Sequence, residues 1–474
     1  MTFPSHRTKI VCTIGPSCSA PEVLARLQRA GMGVARLNFA HGDRSSMSRR
    51  VADIRELSRQ SGRRITLLAD LAGPKIRVGE LQQGSVLLED GGSVTLVEAD
   101  ADLRPNAVPL SASGIVGRLE IGDTVYMNDG FIRLRVEAVS ADRADCRVES
   151  GGRLFSGKGL NVPGRDLGLG ALTESDSEWI GFAAEKGIDA LSVSFVRSAD
   201  DVSQVRRLAA SQGYHPFLIA KIERASALQN LESILEAADG LMVARGDLGV
   251  ETEIEEIALV QKRLIRRARS VGKPVITATQ MLESMVSNPR PTRAEATDVA
   301  NAILDGTDCL MLSEESAVGQ YPVEAVRTMA RIAALTERTM AAEPGFADTI
   351  RWEQGPKSDV RDLVVNSIRT IVEARAPVAV VTPTSGGTTP RRISRYRLPV
   401  WVVAACTDSS ICQVLNLSWG IYPVEVGKRP PGWEEFAADW LRKRGIDSGL
   451  VVLAEGSSSD DADAINRMEV IRLD

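Results

Sequence analysis

The sequence predicts an α/β protein: a closed (β/α)8 barrel of the TIM type, interrupted by an inserted β-barrel domain and followed by an open α/β domain. Three observations predict it. Eight short β-branched or apolar runs alternate with amphipathic helical stretches. A block of hairpin-like pieces breaks that rhythm between the third run and the fourth. A second helix–strand series begins after about residue 340.

The eight runs are KIVCTI at 9–14, VARLN at 34–38, ITLLAD at 65–70, ALSVSF at 190–195, FLIAKIE at 217–223, GLMVARG at 240–246, PVITATQ at 274–280 and CLMLSEE at 309–315. Between them lie PEVLARLQRA, ADDVSQVRRLAA, LQNLESILEAA and EIALVQKRLIRRARS, whose apolar residues recur three to four apart, as one buried helix face requires. Eight βα units predict barrel closure, over residues 1–73 and 166–340.

The insert is placed at 74–165. SVLLEDG, SVTLVEA, DTVYMNDG and FIRLRVEAVS are short strand-like pieces punctuated by Gly, Asp and Asn, the chemistry of antiparallel hairpins. A connection containing Pro and Gly (EPGFADTIRWEQGPKSD) then leads to the C-terminal domain at 341–474, with strands APVAVVT, PVWVVAAC, IYPVEV, LVVLAE and MEVIRL.

At 474 residues the chain exceeds the size of a single hydrophobic core, which agrees with several domains. Its 43% hydrophobic and 25% charged residues are those of a globular protein, and no apolar run nears the roughly 20 residues that span a bilayer. A formal net charge of −5 argues against nucleic acid as the main partner, because neutralising backbone phosphates needs a basic surface. The N-terminus lacks the apolar core of a secretory signal, so a cytoplasmic protein is expected. Six scattered cysteines without a CxxC pair, and three histidines, make a zinc site or disulfide framework improbable. Cys12 and Cys309 fall in apolar runs and read as buried, inert thiols.

Catalytic groups of such a barrel lie at the C-terminal ends of its strands. The polar residues there are Arg36, Asn38, Asp70, Lys221, Glu223, Asp247, Thr279, Gln280, Ser313 and Glu315. Residues two apart on a strand share a face, so Arg36 projects with Asn38, and Lys221 with Glu223. If the fifth and sixth runs are neighbours, Glu223 and Asp247 can bring two hard oxygen ligands onto one Mg²⁺ or Mn²⁺. Lys221 with Glu223, or Arg36 with Asp70, reads equally as a structural ion pair. Convergence of so many charges on one barrel end favours a site, since burying them without a charged ligand is costly. Gly246, in ARGDLGVE at 244–251, lets the main chain approach an anion, with free N–H groups at the start of a helical turn.

The chain resembles the pyruvate kinase family over nearly its full length. The resemblance is carried, in order, by RTKIVCTIGPS, GMGVARLNFAHG, DLAGPKIRVG, KGLNVPG, SFVR, AKIE, VARGDLGVE, ATQMLESM, PRPTRAEATDVANAILDGTD and MLSEESAVGQYP. It implies a catalytic barrel, a β lid inserted after the third strand, a C-terminal regulatory domain and a homotetramer. The reaction it implies is transfer of the phosphoryl group of phosphoenolpyruvate to ADP, giving pyruvate and ATP. Residue by residue, it implies that Glu223 and Asp247 hold Mg²⁺, and that Arg36 and Lys221 bind the phosphoryl group. The Gly246 and Asp247 N–H groups then take the substrate carboxylate, and Thr279 lies near the carbon that becomes the methyl group. Asn38, His41, Arg77 and Lys158 match nucleotide-contacting positions, with Lys158 coming from the lid.

Two departures stand out. Many members hold a monovalent cation with Asn, Ser, Asp and Thr side chains, where this chain has Asn38, Ala40, Asp70 and Leu71. It also reads GPKIR where the potassium-requiring form commonly reads GPEIR, so the Lys75 ammonium is expected to replace K⁺. In the C-terminal domain TPTSGGTTPRR at 382–392 resembles the family's effector loop. Thr384, Ser385, Gly386, Gly387, Thr388 and Thr389 are expected to cradle a phosphorylated effector, with Arg391 and Arg392 nearby. The acidic run in AEGSSSDDADAINRMEVIRLD departs from the commoner pattern. A Mg²⁺-dependent aldolase or lyase of the related phosphoenolpyruvate/pyruvate barrel type is the alternative, disfavoured by the lid and Lys158.

Overall fold

A computed structural model describes residues 3–98, 106–112, 114–165, 167–343, 360–456 and 467–473. Most of the connection after the barrel and the acidic C-terminal run lie outside these residues. The barrel strands are β1 (Lys9–Thr13), β2 (Met32–Asn38), β3 (Thr66–Asp70), β4 (Ala190–Val193), β5 (Phe217–Ile222), β6 (Gly240–Ala244), β7 (Val275–Ala278) and β8 (Cys309–Leu312). Each is parallel to its sequence neighbours, and β8 closes on β1 with Lys9 opposite Cys309.

These strands are buried on both faces because helices cover the outside, so they read as continuous apolar runs without alternation. Several stop before the polar residues assigned to them from the sequence. β7 ends at Ala278 because Thr279 and Gln280 adopt φ of 67° and 53°, which breaks the extended ladder. β6 ends at Ala244, and Arg245–Glu251 turns into a short helix. The polar groups therefore sit on the barrel's rim, beyond the ladder.

Local signals place the covering helices. Asp43 caps Arg44–Ser61 by accepting from Ser46 N at 2.9 Å, and Gly62 ends that helix at φ 63°, a left-handed conformation natural to glycine. Thr173 with Asp176, and Thr292 with Glu295, form capping boxes at the starts of Glu174–Glu185 and Arg293–Asp305.

The insert follows β3. It forms a six-stranded sheet and a two-stranded sheet, Ser85–Leu88 with Gly152–Phe155. Both contribute to one core around Leu88, Leu96, Leu134 and Leu154. Its pairing departs from the all-antiparallel expectation at one place: Ser93–Val97 and Ala107–Pro109 run parallel.

The C-terminal sheet contains β9 (Ala379–Thr384), β10 (Trp401–Cys406), β11 (Ile421–Glu425), β12 (Gly449–Glu455) and β13 (Arg467–Leu473), in the order β11-β10-β9-β12-β13. Only β13 is antiparallel among these described strands. This domain closes the N-terminal end of the barrel, where Val414 and Leu417 pack against Val11, Val34 and Met242. Asn416 Nδ2 donates to Gly33 O at 2.7 Å and Lys9 Nζ to Ile421 O at 2.6 Å, so polar contacts cross the same junction. The opposite, C-terminal end lies away from this junction. All six cysteines are buried and unpaired.

Candidate active site

Arg36, near the end of β2, reaches across to Asp70, the last residue of β3. Arg36 Nε lies 3.1 Å from Asp70 Oδ2, Nη2 donates to the same oxygen, and Nη1 lies 2.9 Å from Thr13 Oγ1 on β1. Ser192 Oγ on β4 donates to Asp70 Oδ1 at 2.5 Å, and Lys221 Nζ on β5 stands 3.4 Å from it. Five adjacent strands thus contribute to one buried network. Burial by itself would raise the Asp70 carboxyl, but Arg36, Lys221 and Ser192 together overcome it and hold it at about 2.

Lys221 is the centre of the arrangement. Its ammonium donates to Ser194 Oγ at 2.7 Å and pairs with Glu223 Oε1 at 2.9 Å. Burial opposes its charge, yet Asp70 and Glu223 more than offset that and raise its pKa, so the ammonium stays protonated. Glu223 Oε2 accepts from Phe195 N at 2.7 Å, and Phe195 itself holds a φ of 55°. Burial raises the Glu223 carboxyl, and the Asp247 charge adds to the rise against the opposing pull of Lys221. The Asp247 carboxylate is thus near enough for its charge to act on Glu223.

β5 and β6 are neighbours, as the carboxylate pair requires, but Asp247 sits in the first turn of the following helix. Asp247 Oδ1 lies 2.7 Å from Lys75 Nζ. Among the described residues no group of three or more acidic, His or Cys side chains gathers as a metal cage. Two carboxylates from neighbouring strand ends fit a hard divalent cation whose remaining ligands are water and substrate oxygens.

Thr279 is held in a strained, left-handed backbone uncommon for a β-branched residue. Its Oγ1 accepts from Gly246 N at 2.9 Å and donates to Ala278 O at 2.6 Å. Arg245 clamps the turn: Nη2 donates to Thr279 O at 2.6 Å while Nη1 pairs with Asp298 at 2.7 Å.

The remaining sequence candidates are distributed less tightly. Asn38 Oδ1 accepts from Ala40 N at 3.2 Å, and His41 is exposed just beyond it. Arg77 Nη1 donates to Gly157 O at 2.9 Å, and the pairing of Arg77 with Gly159 sets Lys158 alongside. The insert reaches the barrel rim through Asn161 Nδ2, 3.4 Å from Glu251 Oε1. Glu315 is structural: its carboxylate accepts from Leu282 N at 3.0 Å and Ser313 N at 2.7 Å, tying two rim loops together. Lys75 pairs with Asp247 and not with Asp70, so the three residues of the expected monovalent-cation region are not in one hydrogen-bonded group.

In the C-terminal loop Thr384 Oγ1 accepts from Gly387 N at 2.8 Å, Gly386 has open space beside it, and Thr389 packs against Gly456. Arg391 Nη1 lies beside Gly387, while Arg392 is engaged elsewhere. Helical periodicity turns Arg391 onto the Phe217 ring of the barrel, 5.0 Å away, and Arg392 pairs with Asp362 at 3.1 Å. A cavity of about 530 Å³ lies at the other end of the barrel and is lined by Lys9, Arg63 and Trp401. Charge convergence, and not volume, locates the candidate site.

Sequence reading missed Thr13, Ser192, Ser194 and Arg245. Small hydroxyls in strands carry no signal of their own. Arg245 had one, adjacent as it is to Gly246 in a matched motif.

Comparison with known proteins identifies the barrel and the C-terminal domain. Residues 5–326 match the family described as pyruvate kinase, barrel domain, and residues 362–471 match pyruvate kinase, alpha/beta domain. The chain is 43% identical over 425 residues to a pyruvate kinase of Thermococcus litoralis, covering 89% of each. It is 41% identical over 472 residues to a pyruvate kinase of Geobacillus stearothermophilus, covering 98% of this chain and 80% of the relative. A pyruvate kinase of Mycobacterium intracellulare is 41% identical over 416 residues, 88% of this chain and 87% of that protein. With both domains matched and a five-strand charge network at the barrel mouth, the chain belongs to the pyruvate kinase family.

Proposed function

We propose that this chain transfers the phosphoryl group of phosphoenolpyruvate to ADP, giving pyruvate and ATP. The observation that carries the reading is the rim network in which Lys221 lies between Asp70 and Glu223 while Arg36 is braced on Asp70. Two buried cations are thereby pre-oriented on carboxylates and can turn to a transferring phosphoryl group without reorganisation. That is the electrostatic positioning on which phosphoryl transfer depends.

Glu223 and Asp247 would hold the divalent cation, Mg²⁺ or Mn²⁺, which when bound neutralises charge on the phosphoryl and carboxylate oxygens. Gly246 and Asp247 N–H groups bind the substrate carboxylate. Thr279, fixed by Arg245, stands at the carbon that gains a proton. Asn38, His41, Arg77 and Lys158 serve the nucleotide. The insert, 74–165, acts as a lid that excludes water, so that phosphoryl transfer outruns hydrolysis. The barrel is assigned to 1–73 and 166–340 and the regulatory domain to 341–474.

Lys75 takes the place of a bound K⁺, the reading supported by its ammonium beside the metal-site carboxylate. A phosphorylated effector binds at Thr384–Thr389, supported by the open side of Gly386. We further place the enzyme in the cytoplasm as a homotetramer. Among the described residues no helix is long and apolar enough to cross a membrane. The aldolase or lyase reading has less support, because such chemistry has no use for Lys158 on a closing domain.

A coupled assay with phosphoenolpyruvate, ADP and Mg²⁺, with and without K⁺, tests the reading against Lys221→Met. Absence of pyruvate formation by the unaltered protein sinks it. Unchanged kinetics across sugar phosphates and nucleotides removes the effector site.

A further inference from the structure

Four arginines, Arg269, Arg391, Arg395 and Arg397, line a space of about 10 Å³ between the barrel and the C-terminal domain. Arg269 comes from the end of the barrel helix Ile257–Ser270, Arg391 from the helix Thr388–Ser394, and Arg397 from the turn after it. Arg269 is 7% exposed and Ser418, which also faces the space, is 2% exposed.

The donors exceed the acceptors. Arg269 Nε and Nη1, Arg391 Nε and Nη2, Arg397 Nε and Ser418 Oγ are all buried without a hydrogen-bond partner among the described residues. The one carboxylate lining the space, Asp308, is already saturated. Its Oδ1 accepts from Trp419 N at 2.9 Å and Arg397 Nη1 at 3.0 Å, and its Oδ2 accepts from Val275 N at 3.0 Å and forms an ion pair with Arg397 Nη2 at 2.9 Å. Lys273 adds a further positive charge and directs it at the carbonyls of Leu235, Glu236 and Ala238.

A guanidinium does not shed its proton in a protein, so this charge must be met by a counter-charge. Burial, with Arg397 beside it, pulls Arg269 down to about 9, and burial pulls Arg391 down to about 10 against the opposing charge of Asp239. A water molecule would fill the space and accept from two donors, but it brings no charge. The space admits one sphere of about solvent size, which excludes phosphate, sulfate and carboxylates.

We propose that this cavity binds a monatomic anion of the chloride class, held by Arg269, Arg391, Arg397 and Ser418, which links the barrel to the C-terminal domain. The site is independent of the catalytic reading.

Scanning calorimetry of the full-length protein tests it, with gluconate replaced by chloride or bromide at constant ionic strength. The expected result is a saturable rise of the unfolding midpoint by about 2–5 °C in the unaltered protein. Arg269→Met abolishes the halide dependence, and Ser418→Ala raises the half-saturating concentration several-fold. Crystals grown in bromide show an anomalous peak bounded by Arg269, Arg391 and Ser418. Equal midpoints in gluconate and halide overturn the proposal, as does an undiminished halide increment in Arg269→Met or bromide-free density at the cavity. Should Arg269→Met fail to fold, Ser418→Ala and the bromide crystals decide the question.

Discussion

The Lys75 ammonium lies 2.7 Å from Asp247 Oδ1, which joins the hinge of the insert to one of the two carboxylates assigned to the divalent cation. Both side chains are about a quarter exposed, so the pair is accessible to substrate and solvent. A lysine here supplies a fixed positive charge to the rim, where a glutamate would add a third negative one.

Replacing that charge is expected to create a cation requirement. The unaltered protein should work at full rate in tetramethylammonium buffer, and Lys75→Glu should lose roughly tenfold or more there, the worth of one charged contact. Added K⁺ should restore much of the loss. A wild-type rate that depends strongly on K⁺ contradicts the assignment.

Lys221→Met removes the ammonium shared by Asp70, Glu223 and Ser194. The expected loss in kcat is about 10²–10³-fold, the scale of one preorganised electrostatic contact. Stability should fall by about 3–5 kcal/mol, because two buried carboxylates lose a partner. Steady-state kinetics and denaturant melts read the two effects separately, and a variant with unaltered kcat rules Lys221 out of the chemistry.

Arg245 is a positioning residue, since it acts through the Thr279 backbone. Arg245→Leu frees a turn held at φ 67° and should lower kcat about 10²-fold with little change in KM for ADP. Arg245→Lys should not rescue it, because one ammonium cannot span Thr279 O and Asp298 as the fork does. Full rescue by lysine would show that charge alone matters there.

Asp70 ties stability to acid pH. Its carboxyl titrates at about 2 in the folded protein against an ordinary 3.8, so the unfolded chain binds the proton more tightly. Its contribution, about 2 kcal/mol, is fully present above pH 4 and is lost as pH falls toward 2. Asp70→Asn should be less stable at neutral pH and should flatten that acid limb in unfolding midpoints measured from pH 6 to 2. An unchanged limb shows that another group dominates.

Much of this protein was determined by sequence alone. Eight apolar runs with polar ends specify a barrel and mark which end gathers the polar groups, because side-chain alternation along a strand and barrel closure leave few other arrangements. Arg36, Asp70, Lys221 and Glu223 were legible for that reason, and the matched motifs named the family. Tertiary structure decided the partners. Ser192 meets Asp70, Ser194 meets Lys221, and Thr13 meets Arg36 only because strands far apart in the chain lie side by side. It also carried Lys75 to Asp247 across 172 positions and set Arg391 over the Phe217 ring of the barrel. A sequence records residue types and their order, but hydrogen bonds and ion pairs depend on distances of about 3 Å that only chain closure in three dimensions sets.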